Sequence, residues 1–155
     1  MLRMLTLATV ALVAVPAAAA GPLEVTSKVM VETRQRAADG STRIVLEPAR
    51  RVVPGDRVVF VLAYRNVGTQ PLNDIVLANP VPAELSYRAP AQGSVAPDVS
   101  ADGKTYGQLA ALRVAGAGGA IRAATAEDVT SVRWRLTRPL AAGTSGQLAF
   151  QATLR

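Results

Sequence analysis

The chain contains no cysteine and no histidine among its 155 residues. Without cysteine there is no disulfide-linked form of an immunoglobulin domain. A secreted domain of this length can still hold a core by burial alone. The two absences together remove the best zinc and copper ligand types. Without histidine a nucleophilic triad has no base, and the serine–lysine pattern Ser-x-x-Lys is also missing. Aromatic residues are scarce, with one Trp, three Tyr and two Phe. That is too few for the stacking platforms of a nucleic-acid binder or for the aromatic girdles of an outer-membrane barrel, the other fold that strand alternation would suit. Lysine occurs only at Lys28 and Lys104, so arginine carries most of the net charge of +6. Such a basic exported domain can associate with anionic envelope polymers, though the charge also serves solubility.

The one long apolar run is at the N-terminus. Arg3 supplies a positive charge, Leu5 to Val15 is apolar, Pro16 breaks the run, and Ala18-Ala19-Ala20 fits a small-residue cleavage site. This is the layout of a secretory signal peptide over residues 1–20. The uncharged run is shorter than the ~20 residues of a membrane span. The expectation is therefore an exported protein, periplasmic or at the cell surface, with no transmembrane segment in its mature part. Residues 21–155 suit one domain around one core.

Beyond the leader, hydrophobicity has a period of two. Leu23 to Arg34 places Leu23, Val25, Val29 and Val31 on one face, which predicts a half-buried strand. Asp39-Gly40 is a hairpin signal, and Arg43 to Glu47 is the returning strand. Pro54-Gly55 marks a turn. Arg57 to Arg65 is apolar on both faces, which predicts a central strand covered on both sides. Further strands are expected over Leu72 to Ala78, Leu85 to Arg88, Lys104 to Val114, Val129 to Thr137 and Gly146 to Arg155. Ala89 to Asp102 and Ala115 to Ala120 read as loops, and Thr125 caps a helical turn through Asp128. About eight strands separated by turns predict an all-β, immunoglobulin-like β-sandwich of 7–8 mostly antiparallel strands.

Three blocks then fall in order: Val53-Pro54-Gly55-Asp56, Tyr64-Arg65-Asn66-Val67-Gly68, and Leu72-Asn73-Asp74-Ile75. Ser100-Ala101-Asp102-Gly103, Val132-Arg133-Trp134 and the Pro139 to Gly143 turn follow. Together they resemble the conserved repeat domain of prokaryotic surface proteins, known as domain of unknown function number eleven. The resemblance covers about Val52 to Leu154. It implies an exported immunoglobulin-like sandwich that acts as a structural or adhesive module of the cell envelope, without catalytic residues. That family often forms tandem arrays, whereas one copy is present here, so a stalk role is not expected.

The sites that can be read from the residues are few. Glu24, Glu32, Glu47, Glu84, Asp98 and Asp102 are the carboxylates formally available for glycosidase chemistry, and they read as solvated edge and loop residues. Asp98, Ser100 and Asp102 have the alternate spacing of the start of a calcium loop but lack the later glutamate. Gly116 to Gly119 has Ile121 where a phosphate fingerprint needs its third glycine. Lys28 lies on the polar face of its strand, and the last strand has no Asn for an isopeptide bond. No cofactor, metal or enzymatic activity is expected. A binding surface is expected from Arg133 and Arg135 as an exposed stripe, with Tyr87 and Tyr106 as platforms. Two modes are open. One is a protein interaction with an envelope partner at an exposed strand edge. The other is a small-ligand or glycan site in the loops Ala89–Asp102 and Ala115–Ala124.

Overall fold

The computed structural model describes residues 21–49 and 52–155. The expected leader over 1–20 and the Arg50-Arg51 pair lie outside the described residues. Two antiparallel sheets make an all-β sandwich. One has five strands in the order β2-β1-β3-β10-β5, and the other has three in the order β4-β9-β6. They are formed by β1 (Leu23–Arg36), β2 (Thr42–Pro48), β3 (Arg57–Asn66), β4 (Val76–Pro80), β5 (Leu85–Pro90), β6 (Asp98–Ser100), β9 (Ser131–Arg135) and β10 (Ser145–Leu154). A short ribbon of β7 (Arg113–Ala115) and β8 (Ile121–Ala123) stands apart.

The core lies where the two inner faces meet. In β3 the residues Val58, Phe60 and Leu62 point inward, opposite Ala152, Phe150 and Leu148 of β10. Phe60 and Phe150 stack with centroids 4.9 Å apart. From the other sheet, Leu77 of β4, Val99 of β6, and Val132 and Trp134 of β9 close onto them. Gly146 of β10 sits under the ring of Tyr64, its cross-strand neighbour, and a Cβ there would run into that ring. The hairpin between β1 and β2 turns at Gly40, whose φ of 82° suits glycine. Asp39 Oδ1 closes the turn by accepting from the Ser41 N–H at 2.9 Å.

Several expectations need correction. Ala89–Asp102 is not wholly a loop: its start extends β5, and Asp98–Ser100 pairs with β9. Lys104–Val114 is not one strand; a lone bridge at Gly107 is followed by a 3-10 turn over Leu109–Ala111 and then β7. The strand expected from Leu72 begins only at Val76. Asp74 has a positive φ of 52°, which breaks the extended run and leaves Leu72 as a lone bridge to Leu140. The outer side of β3 is covered only in part: Val59 is buried but Val61 and Ala63 are half-buried. β1 departs furthest. Val25 is 45% exposed and Val29 38%, although both lie on the inner side. The three-stranded sheet is narrower than its partner and does not reach them.

Candidate functional site

The four residues expected to bind a partner are not brought together. Tyr87 is 5% exposed, with its ring 6.0 Å from Phe150 in the core. It is packing, not a platform, because its position in β5 alternates inward beside Leu85. Burial pushes its hydroxyl above the ordinary tyrosine range. Tyr106 and Arg133 do meet on the outer side of the three-stranded sheet. The guanidinium carbon lies 4.1 Å from the ring centroid, and the Tyr106 hydroxyl donates to Ser131 Oγ at 2.9 Å. Arg133 also reaches Asp98 across the β6–β9 pair at 3.6 Å. The tyrosine face and the guanidinium are thus engaged with each other. Arg135 is exposed at the end of β9, so of the expected two-arginine stripe Arg133 is engaged and Arg135 faces outward without a bonded partner among the described residues.

The carboxylates are dispersed. Glu32 accepts from Gln151 and Glu47 from Gln35, on opposite sides of the five-stranded sheet. Asp102 is saturated by its own loop. Its oxygens accept from the N–H groups of Thr105 at 2.7 Å and Lys104 at 2.8 Å, and from the hydroxyls of Ser100 and Thr105 at 2.9 Å. These donors hold the Asp102 carboxyl well below the usual carboxylate range. Asp98 is turned to Arg133, while Ser100 and Asp102 lock the turn that follows, so the three residues spaced like a calcium loop are engaged with different partners. Among the described residues no group of three or more His, Cys, Asp or Glu converges, and every buried side-chain nitrogen or oxygen has a partner.

A hollow of about 510 Å³ lies beside the later loops, lined by Asp102, Thr105, Leu112, Arg113 and Val114. Its lining contains no aromatic side chain. The second loop expected to bind forms the β7–β8 ribbon, tied down at its base by a bidentate Arg122–Asp128 pair at 2.7 Å.

The feature not foreseen in detail is the sheet edge built by β1 and β2. Strand edges are ordinarily guarded, because their bare N–H and C=O groups pair with any extended chain. Three edges of the two main sheets are guarded here. Gly107 closes β6 by exchanging bonds with Val99 at 2.8 and 3.0 Å. β4 ends in Pro80, which has no N–H. β5 ends in Pro90, and the 3-10 turn Ala126–Asp128 packs beside it.

The β1–β2 edge has no such guard among the described residues. β1 pairs with β3 over Leu23–Val31 and with β2 only over Met30–Arg36. Among the described residues, the last bond on the β2 side is from the Ala49 N–H to the Val29 carbonyl, 3.1 Å. Alternation with period two then turns the N–H and C=O groups of Ser27, Val25 and Leu23 to this same side, where no strand among the described residues pairs with them. On the opposite side, the Pro22 carbonyl accepts from Val67 in the matching phase, 2.8 Å. Beside this free backbone lie the exposed side chains of Val25 and Val29. Alternation marks these valines as an apolar face, but not that the second sheet falls short of them. Comparison of the chain with family models, with curated proteins and with solved structures finds no match in any of the three.

Proposed function

We propose that this protein is an exported, non-enzymatic β-sandwich module of the bacterial cell envelope. It binds an extended segment of another envelope protein by adding that segment as a strand along Leu23–Ser27 of β1. The observation that carries this reading is the conjunction at that edge: outward backbone groups and two exposed valines on the adjoining face. Main-chain hydrogen bonds would give such a complex its affinity. Apolar side chains at alternate positions of the incoming strand would cover Val25 and Val29 and give it specificity. The leader over residues 1–20 and the resemblance to a prokaryotic surface domain support export and an adhesive or structural role. The loop-based glycan reading loses support, because Tyr87 is in the core and Tyr106 is stacked under Arg133.

The test is site-specific photo-cross-linking in intact cells, with the cross-linker in place of Val25 or, as a control, of Arg88 on the exposed face of β5. The expected result is a protein adduct at position 25, absent at position 88 and lost when Ser27→Pro is added. Proline at position 27 removes an N–H that faces outward, so the pairing with β3 is untouched. Adducts that form equally at both positions, or that survive Ser27→Pro, would contradict the reading.

A further inference from the structure

The other half of the same edge is β2, and its sequence is complementary to itself. The bonds flanking β2 set its phase. The Ala37 N–H donates to the Ser41 carbonyl at 2.7 Å, the Thr33 hydroxyl reaches the Val45 carbonyl at 3.3 Å, and Ala49 bonds Val29 at 3.1 Å. Arg43, Val45 and Glu47 therefore face their backbone groups toward β1. Thr42, Ile44 and Leu46 present theirs outward, and Pro48 contributes a carbonyl at the end of the strand. Ile44 and Leu46 are 59% and 46% exposed, side by side on the outer face. Arg43 and Glu47 lie on the opposite face, across from Gln35 and Val31.

We propose that β2 pairs antiparallel with β2 of a second copy of this chain, about a two-fold axis through Val45. In that register Ile44 of each copy exchanges both backbone bonds with Leu46 of the other. Val45 meets Val45 at the axis, and Thr42 donates to the Pro48 carbonyl. Arg43 then stands directly opposite Glu47 of the second copy, twice by symmetry. Opposite charges in directly facing positions stabilise a strand pair, and like charges destabilise it.

Neighbouring registers lack this match. A two-fold at Ile44 sets Arg43 against Val45. A two-fold at Leu46 sets Glu47 against Val45 and Ile44 against Pro48, which has no N–H. Within one chain Arg43 and Glu47 are about 13 Å apart along the strand, too far to pair with each other. The charge match is satisfied only between copies, and the contact is isologous, so it closes as a dimer. The row of Ile44 and Leu46 doubles across the axis into one apolar strip. This goes beyond the envelope-binding role, which uses the Leu23–Ser27 half of the edge.

The test is sedimentation velocity on the purified full chain from about 1 to about 500 µM. Seven residues of edge make a small interface, so a dimer with a dissociation constant on the order of tens of micromolar is expected. Arg43→Glu and Glu47→Arg should each weaken it at least about tenfold by setting like charges opposite. The double swap Arg43→Glu/Glu47→Arg should restore it, while Ser27→Pro leaves it unchanged. Circular dichroism verifies that each variant is folded. Independently of any variant, the amides of Ile44 and Leu46 in the wild-type chain should gain protection from hydrogen exchange as concentration rises. A monomer over the whole range overturns the proposal. So does a dimer indifferent to the single swaps, or one that a folded double swap fails to restore. A dimer that Ser27→Pro alone abolishes would place self-pairing on β1 and overturn it as well.

Discussion

Three residues hold the sandwich together in different ways, and each has its own expected cost. Trp134 is 3% exposed. Its indole N–H donates to the Val95 carbonyl at 2.8 Å, and its ring lies 6.2 Å from Phe150. Trp134→Ala leaves a cavity at the meeting of both sheets and should cost about 3–5 kcal/mol in urea unfolding. Asn66 is fully buried at the end of β3. Its Nδ2 donates to the carbonyls of Gln70 at 2.8 Å and Leu140 at 2.9 Å, and its Oδ1 accepts from the Gly68 N–H at 2.9 Å. Asn66→Leu removes all three bonds and should cost about 2–4 kcal/mol, since the stranded backbone groups keep their desolvation penalty. The motif Asn-Val-Gly announces a turn in sequence, but the bond from Asn66 to Leu140 joins segments far apart in the chain and has no local signal. Gly146→Ala would force the Tyr64 ring aside and should destabilise by about 1–3 kcal/mol.

Among the elements, strands with a strong period were legible, and their partners were not. Val58, Phe60 and Leu62, then Val132 and Trp134, then Leu148, Phe150 and Ala152 all alternate in the sequence, and all are buried. β6 is only three residues long, too short to show a period, so its sequence has the character of a loop. β1 shows where alternation stops being informative. It names the apolar face of a strand, but coverage of that face depends on which strands the opposite sheet contains. The last strand enters between β3 and β5, and neither that order nor the open flank of β1 is written in a local pattern. Tyr87 shares the phase of Leu85 in β5, but a strand this short does not show in sequence that the opposite sheet covers that face.

The phase of β1 also makes a prediction about its stability. Ser27→Pro removes an outward N–H and should change unfolding free energy by less than about 1 kcal/mol. Lys28→Pro removes the N–H facing β3 and should cost about 2 kcal/mol or more. Equal effects in chemical denaturation would mean the phase is wrong.

At the scale of the whole molecule, acid should loosen the fold through two locked turns. Asp128 accepts from both terminal guanidinium nitrogens of Arg122 at 2.7 Å and from the Thr125 N–H at 2.7 Å. This holds its carboxyl well below the usual range, as the loop donors do for Asp102. In the unfolded chain both titrate near ~3.9. Their contribution is therefore complete above that value and is lost as pH falls toward the lower folded values. The urea midpoint should be flat from about pH 7 to about pH 5 and then decline below about pH 4. Asp102→Asn and Asp128→Asn should each lower the midpoint at neutral pH and shrink the acid decline. No helix among the described residues is long and apolar enough to cross a membrane. Mass spectrometry of the exported form is expected to find an N-terminus near Gly21.

Both binding along β1 and self-pairing of β2 require this edge to be open, and residue-resolved amide hydrogen exchange on the dilute protein tests that directly. The N–H groups of Val25, Ser27, Ile44 and Leu46 should exchange quickly. Those of Thr26 and Lys28, which face β3, and of Arg43, Val45 and Glu47, which face β1, should exchange slowly. Uniform protection along Leu23–Lys28 and Thr42–Glu47 in the dilute protein would contradict the account, because the edge would then already be covered.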